Sequence, residues 1–599
     1  MIIGDLCEEY NALVSKGRAP AYGYDKVNVP YGLVIDDNGA LRAVRPLGDF
    51  TGKKPLNIIS VPARVTRSSG IAANFLCDTV TYMLGYDAKG KPERAARAFQ
   101  ACGELHRLIL NGLETPIVDA VRAFFAKGPQ WETAQQLMGD DSWKSALTMN
   151  FALQYDDGIR VVFVGDDPDV RDAWDAHYSH EDVDADGETA TSMSLVSGRS
   201  VIPAKIHPKI KGVAGAQSSG ASLISFNAPA FCSHGVEQNE NAPMSKREAY
   251  QYTTALNVLL ADRDRAQRIG DATVVSWARC GDVGYTAMFS RWQTNPAGRS
   301  NGEAVEAEVG EALKSLAHGR PYDYDGFYLE PNEEFHVLAL SPNAARLAVR
   351  YYLTNTFGAF ARNIDRHYED VRIRRPSYDT TMFLPTWRLL NQTIRQQDKD
   401  KKAKVSAEMA GEVMEAILNG TPYPVPLIYA IERRIGVEHD VSPDKAAIIK
   451  AYYLRVTDNP KFKEVLQVDI NEESDYVPYV LGRIFSIYEQ IQLAAIPNIN
   501  TTIKDKYFSS AAATPARIFP ILGDLSSKHM RKTWQYEGKK VNLAKALCDL
   551  TSRVGDHYPL RLSLEERGAF QLGFYFENQK RFDKKNVNTK DSKQGVDHD

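Results

Sequence analysis

Val477-Pro-Tyr-Val-Leu-Gly-Arg-Ile-Phe-Ser-Ile-Tyr-Glu-Gln-Ile491 sets Val480, Leu481, Ile484, Ile487, Tyr488 and Ile491 at three- and four-residue steps, the spacing of one buried helical face. Residues 503–534 read as a second, interrupted helical region that restarts at Thr514 and Pro515, because proline is tolerated in the first turn of a helix. Leu543, Leu547, Leu550 and Val554 form a third stripe, and a fourth segment opens at Ser563 with Glu566 three residues on, then carries Leu564, Phe570 and Phe574. The Ser-to-Glu spacing is that of a capping box, in which each side chain satisfies the other's backbone N–H. Consecutive amphipathic segments of this kind predict an up-and-down helical bundle over 477–585, with a disordered tail at 586–599.

Working back from the bundle, residues 398–404 are nearly all charged, and 401–476 read as a helical connector. The region 201–400 reads as mixed α/β: strands at 273–277 and 335–340, a helix over 246–260, and a helix over 344–360 capped by Ser341 or Asn343, with Leu347, Tyr351 and Phe357 on one face. Within it, 223–226 is a β-type run after a Gly- and Ser-rich stretch. Residues 1–200 hold β-type runs at 33–35 and 56–61, helical patterns from 92 to about 154, and a strand at 159–164. Between 156 and 188 there are 12 acidic residues against two Arg, which predicts a solvated acidic surface or loop. The fold class is therefore α+β and multidomain, with mixed α/β N-terminal and middle regions ahead of the helical bundle.

The 599 residues are 43% hydrophobic and 25% charged, enough apolar surface for several packed cores and too much for wholesale disorder. Lys plus Arg is 72 against 76 Asp plus Glu, which excludes a polybasic coat protein. Cys7, Cys77, Cys102, Cys232, Cys280 and Cys548 show no C-x-x-C pair and read as free thiols rather than a disulfide frame or zinc clip. The first residues lack a basic segment followed by an apolar run. No stretch approaches the roughly 18 apolar residues of a membrane span, so the expected location is cytoplasmic, with no membrane partner.

Catalytic motifs are missing in an informative way. Neither G-x-x-x-x-G-K-[ST] nor a strand-borne G-x-G-x-x-G occurs, which argues against nucleotide chemistry at a phosphate loop. Ala216-Gln-Ser218-Ser-Gly220 has Ala where a nucleophile elbow needs Gly and precedes a β-type run where that motif needs a helix. His177 and His180 are the one close histidine pair, without a third ligand nearby. No catalytic residue, cofactor or metal is expected. The alternatives left open are a serine hydrolase or metal-dependent nuclease acting on its own, and a scaffold that binds only proteins.

Basic residues, by contrast, cluster. Residues 41–70 contain Arg42, Arg45, Lys53, Lys54, Arg64 and Arg67 against Asp49 alone, a composition suited to phosphate contacts. Residues 477–599 hold 19 Lys or Arg against 13 Asp or Glu. There Lys504, Lys506, Arg517, Lys528, Arg531 and Lys532 accompany Tyr507, Phe508 and Trp534, a mixture suited to a single strand whose phosphates meet cations and whose bases meet rings. A third run, Arg362, Arg366, His367, Arg372, Arg374 and Arg375, suits nucleic acid or a protein partner equally.

The stretch from His207-Pro-Lys-Ile-Lys-Gly through Gly215-Ala-Gln-Ser-Ser-Gly-Ala-Ser-Leu-Ile-Ser-Phe-Asn-Ala-Pro-Ala-Phe231, with Gln238, Asn241-Ala-Pro and Tyr252-Thr-Thr-Ala-Leu-Asn257, resembles the large subunit of the type I-C CRISPR Cascade complex, the Cas-eight-c family. His336-Val-Leu-Ala-Leu-Ser-Pro-Asn343 with Arg346, the run from Leu481-Gly-Arg through Asn500-Thr-Thr-Ile-Lys-Asp-Lys-Tyr-Phe508 to Gly573-Phe-Tyr575, and Arg67-Ser-Ser-Gly70 with Asn74-Phe-Leu76 agree in collinear order. The resemblance implies a non-catalytic recognition subunit, with CRISPR RNA, target double-stranded DNA, the backbone and foot subunits of Cascade, a small helical subunit and a recruited helicase-nuclease as partners. Guide RNA would read the target by pairing, and the protein would read the protospacer-adjacent motif, promote R-loop formation and hold the displaced strand, a division of labour known for RNA-guided effectors. On this footing Ser68, Ser69 and Asn74 are expected at bases or the groove and Lys53, Lys54, Arg64 and Arg67 at phosphates, while Lys504, Lys506, Arg517, Lys528, Arg531 and Lys532 line the non-target strand. Only the block from Arg67 to Leu76 carries the resemblance; Lys53, Lys54 and Arg64 extend it from charge. The family also makes its small subunit from an internal start, and no methionine lies between Met414 and Met530.

Overall fold

The run Tyr31–Ile35 is buried at all five positions, as a strand in the middle of a covered sheet must be. It forms a hairpin with Leu41–Pro46 on one side and pairs in parallel with Asn150–Asp156 on the other, from Tyr31 opposite Phe151 to Ile35 opposite Tyr155. Cys77–Thr79 and Val161–Phe163 then add to Asn150–Asp156, each antiparallel. A parallel neighbour requires a crossover, and helices Pro92–Ile109, Pro116–Ala126, Trp131–Met138 and Asp140–Ala146 lie in that connection. The helical pattern therefore stops short of 154. Phe151, Leu153 and Tyr155 alternate as a strand does and join Phe75, Phe99, Phe124 and Trp174 in one core. Tyr24–Asn28 and Ile58–Pro62 form a separate antiparallel ribbon.

The computed structural model describes residues 1–49, 55–65, 70–180, 191–226, 228–262, 265–293, 302–379, 381, 384–395, 405–532 and 537–581. It divides into two compact units, one of residues 1–210 and 222–258 and the other of residues 211–221 and 259–599. The acidic stretch of the first unit is not loop throughout. Pro168–His180 is a helix, because Val170 and Trp174, four residues apart, are both buried, and Trp174 Nε1–H donates to the Gly23 carbonyl at 2.7 Å. Residues 223–226 are a bend followed by irregular chain and not the expected strand, since no strand pairs with them. The helix Lys246–Ala261 matches expectation.

The second unit opens on a four-stranded antiparallel sheet in the order Ala266–Ile269, Ala272–Ala278, Glu334–Asn343, Arg346–Thr356. The helix expected over 344–360 is for the most part the last of these strands. Ala344, at φ +52°, turns the chain between Asn343 and its partner Arg346, and Leu347 and Tyr351 are buried. Their four-residue spacing fits strand parity as well as a helix, and the β-branched and aromatic residues around them favour the strand. The helix starts later, at Phe357–Val371, where Thr356 Oγ1 accepts from Ala359 N–H at 3.2 Å.

From Ala407 onward the described residues are mainly helical, and one hydrophobic cluster runs unbroken from Ala272 through Phe462 to Phe576. Residues 405–476 therefore contribute to the same core as the bundle; 401–404 and the tail at 586–599 lie outside the described residues. The bundle comprises Val477–Ala495, Ile503–Ala513, Pro515–Met530, Glu537–Ser552 and Leu564–Lys580, with the break at Thr514 and the capping box at Ser563 where the sequence puts them. Among the described residues no helix is long and apolar enough to cross a membrane, and all six cysteines are free.

Val477–Ala495 and Leu564–Lys580 cross at two glycines. A Cβ on Gly482 would fall on the Phe570 carbonyl oxygen, and one on Gly573 on the Tyr479 carbonyl oxygen. Beside the crossing, buried Arg483 Nε meets Glu577 Oε2 at 2.9 Å and its Nη1 donates to the Glu472 carbonyl at 3.0 Å. Gly482→Ala should accordingly cost stability at or beyond the upper end of the about 1–3 kcal/mol typical of overpacking. Gly411→Ala, in helix Ala407–Asn419 with nothing near its Cβ position, should be neutral or stabilising by about 0.5–1 kcal/mol; denaturant titration of the two variants measures the contrast.

Candidate nucleic-acid interface

Of the residues expected at the DNA flank, Lys53, Lys54, Arg67, Ser68 and Ser69 lie outside the described residues. Arg64 is exposed at the end of the Ile58–Pro62 ribbon, with its main-chain N–H on Asp25 Oδ2 at 2.9 Å and its Nη1 3.5 Å from Asn150 Oδ1. Arg42 is engaged by Asp36 at 2.6 Å. Asn74, expected at a base, is 5% exposed, and its Oδ1 accepts from Val65 N–H at 3.0 Å, so the carboxamide oxygen ties the two flanks of residues 66–69 together.

The chain from Asn74 to Leu76 is rigidly held. Asn74 N–H donates to Asp78 Oδ2 at 2.9 Å. Phe75 stacks on Trp174 at 5.4 Å and packs against His106 at 4.8 Å. Leu76 sits at φ +58°, a strained conformation for a bulky residue, and its N–H donates to His106 Nε2 at 2.9 Å. Because Nε2 must accept, the imidazole proton sits on Nδ1, which donates to the Cys102 carbonyl at 2.7 Å. Sequence reasoning missed this support; an isolated histidine on a helical face carries no signal of what it will hold.

At the other end, four of the six cations expected at the non-target strand lie on one helix or just past its end. Pro515–Met530 turns Ile518, Phe519, Leu522 and Ser526 inward and leaves Arg517, Ile521, Asp524, Lys528 and, just beyond its end, Arg531 and Lys532 exposed. Arg517, Lys528 and Arg531 are eleven and fourteen residues apart, near whole numbers of turns, so they follow one stripe about 21 Å long. Lys528 pairs with Asp524 at 2.8 Å; Arg517, Arg531 and Lys532 have no ion-pair partner among the described residues. On Ile503–Ala513, Lys504 is three-quarters covered and 3.7 Å from Asp440, while Lys506 is exposed over the Tyr507 ring at 5.2 Å. Phe508 is no stacking platform: it is buried edge-on against Phe485, Phe570 and Phe574. Trp534 lies outside the described residues.

The C-terminal half of the third basic run is neutralised. Arg375 meets Asp379 at 2.7 Å and Asp444 at 2.8 Å, Arg374 meets Asp469 at 3.0 Å, and Arg372 meets Glu369 at 3.0 Å. His367 is buried on the Tyr423 hydroxyl at 2.6 Å. Ser218 sits in a turn closed by Gly220 N–H on the Gln217 carbonyl, and no group of three His, Cys, Asp or Glu converges among the described residues.

The His106 geometry gives a pH dependence. Burial lowers its pKa to about 4, below the unfolded value near 6.5. The stability it contributes is complete above pH 6.5 and is lost as pH falls toward 4, when Nε2 must take a proton and release Leu76. His207 and His367, lowered by burial to about 4 and about 3, act in the same direction. His106→Ala should therefore cost about 1–3 kcal/mol at pH 7 by orphaning Leu76 N–H, speed amide exchange across 74–79, and shallow the acid limb of a melting-temperature profile without abolishing it.

Among curated proteins none matches the chain. The model of the family described as CRISPR-associated protein (Cas_Csd1) matches residues 6–582, nearly the whole length. The chain belongs to the Csd1 family of CRISPR-associated proteins.

Proposed function

We propose that the chain is the non-catalytic large subunit of a type I-C Cascade complex, reading the protospacer-adjacent motif with its N-terminal unit and holding the non-target strand along its C-terminal helices. The observation that carries this reading is the stripe of Arg517, Lys528, Arg531 and Lys532 on a helix whose opposite side is locked into the core, in a chain whose net charge is −4. Rigidly held cations with one acidic neighbour suit a phosphate backbone. Residues 66–69, whose flanks are fixed at Val65 and at Asn74 to Leu76, would meet the duplex, with Arg64 beside them in sequence. CRISPR RNA, the backbone and foot subunits, and a recruited helicase-nuclease complete the assembly, the last supplying cleavage.

A separately translated small subunit also fits the helix boundaries. A fragment starting at Val477 begins on the first residue of Val477–Ala495, whereas one starting at Met414 divides Ala407–Asn419, whose Val413, Met414 and Ile417 are core residues. Intact-mass analysis of the purified complex reads the start directly.

Arg517→Glu with Arg531→Glu should weaken binding of a labelled single-stranded oligonucleotide about tenfold or more near physiological salt and lower the slope of log affinity on log salt by about 1.4, at roughly 0.7 per lost contact. Lys504→Ala, already engaged by Asp440, should change it less. An unchanged slope in the double variant refutes the strand-holding role. Turnover of ester or nucleic-acid substrates by the purified chain with a divalent metal would refute the non-catalytic one.

A further inference from the structure

Within the second unit, the hairpin of Ala266–Ile269 with Ala272–Ala278 and the helices Thr386–Asn391 and Ala407–Asn419 line a cleft of about 700 Å3, a size common among ligand sites. Leu390 and Met414, both buried, give it an apolar wall. Its other groups lack the partners that their chemistry calls for. Trp387 lines the cleft with 55% of its surface exposed, and among the described residues its ring meets no other ring and no cation. An indole offers a large flat face that folding ordinarily covers.

Gln293 closes the helix Val283–Gln293 and also lines the cleft. It is 8% exposed, and neither its Oε1 nor its Nε2 has a hydrogen-bond partner among the described residues. A buried carboxamide unpaired at both ends is costly, and folded proteins seldom keep one. A ligand edge with a donor beside an acceptor satisfies both ends together. Arg268 is exposed on the first strand of the hairpin. Its Nε donates to the Gly270 carbonyl at 3.2 Å, and its guanidinium has no acid partner among the described residues. Asp271, the carboxylate among the described lining residues, is engaged by Arg350 at 3.1 Å, so Arg268 is the cation left to attract an anion.

A face to stack on, a paired donor and acceptor, and a free cation correspond to the ring, the edge and the phosphate of one nucleotide. An apolar anchor from a protein would use Trp387 and the wall but leave the Gln293 carboxamide unpaired. We propose that this cleft receives one unstacked base of a single nucleic-acid strand, with its face on Trp387, its hydrogen-bonding edge at Gln293 and its phosphate at Arg268. This inference rests on the reading of the protein as nucleic-acid-binding. It adds a contact that senses a base, separate from the 515–532 stripe, whose charges suit phosphates.

The test is fluorescence anisotropy of the full chain with two labelled strands of about 20 units, an oligothymidylate and an abasic strand of the same length, each titrated from about 50 to 200 mM salt. Trp387→Ala, at an exposed position, should weaken oligothymidylate binding at least about fivefold with the salt slope unchanged, because stacking involves no charge. Gln293→Leu should weaken it about threefold or more, also at constant slope. Both variants should match the wild type on the abasic strand. Arg268→Gln should weaken binding of both strands and lower the slope by about 0.7. Equal losses on the two strands in the Trp387 and Gln293 variants, as a merely structural role would give, overturn the inference, and so does wild-type affinity in either. If the wild-type chain binds no oligonucleotide, both this inference and the proposed function fall. If the 517/531 variant behaves as proposed while the cleft variants match wild type, only the cleft falls. Loss of a protein subunit from the purified complex in Trp387→Ala, with oligonucleotide binding intact, would assign the cleft to a protein partner and also overturn it.

Discussion

The C-terminal bundle is organised around one helix that has no solvent face. Fifteen consecutive residues of Val477–Ala495, from Pro478 to Gln492, are buried, and a helix buried all round can be fixed only by what its neighbours accept. The glycine crossing fixes its distance from Leu564–Lys580, because Gly482 and Gly573 let each backbone approach the other where any side chain would collide. Its polar residues fix its rotation: Arg483 must reach Glu577, Glu489 lies within 3.1 Å of the Thr502 hydroxyl, and Gln492 Oε1 accepts Ile503 N–H at 2.7 Å. The last two contacts lie where the next helix begins, so the orientation of the central helix also sets where Ile503–Ala513 and its successor leave the core.

The same constraint sorts the cations. Arg375 and Arg388 share Asp379 and Asp444, Lys445 meets Glu438 at 2.5 Å, and Arg455 meets Asp370 at 2.7 Å, largely out of solvent. Such pairs are costly to break and add little attraction for an outside ligand, since each field is cancelled at short range. The hydrogen bonds of Thr381 and Arg375 hold Asp379 down at about 2 despite its burial, so Asp379 stays ionised across physiological pH. On Pro515–Met530 the charges face water, and three of the four cations in the stripe lack acids among the described residues. Local charge counts along the chain hide this distinction, because they weigh Arg375 and Arg531 equally.

The range of each interaction decides whether the sequence reveals it or conceals it. The break at Thr514 and the cap at Ser563 are local chemistry, decided within four residues, and both are legible. Residues 344–356 are not: Leu347 and Tyr351 suit either element, and the neighbouring Glu334–Asn343 makes them a strand, a pairing no local pattern reports. The burial of Asn74 is hidden for a related reason, since its carboxamide oxygen is held by Val65 N–H, nine residues away. Phe508, read as a possible stacking ring, is core because three other phenylalanines converge on it from two other helices. Composition located the basic ends of the chain but could not say which cations would still face solvent after folding.

On the proposed reading, in which residues 66–69 meet duplex DNA, rigidity at their C-terminal flank bears on recognition in a way that charge does not. Exchanging DNA pairs for RNA–DNA pairs is nearly balanced in free energy, so small protein contributions decide whether a strand opens. Phosphate contacts strengthen every sequence alike, and discrimination has to come from a few groups held at fixed positions. Ordering one residue on binding costs about 1–2 kcal/mol, comparable to what a good base contact discriminates. Where Asn74, Phe75 and Leu76 have been immobilised in folding by Val65, Trp174 and His106, that cost is already met on the C-terminal side of the segment. Strain at Leu76 is tolerated because the histidine beneath it holds the turn at Phe75 and Leu76 in place.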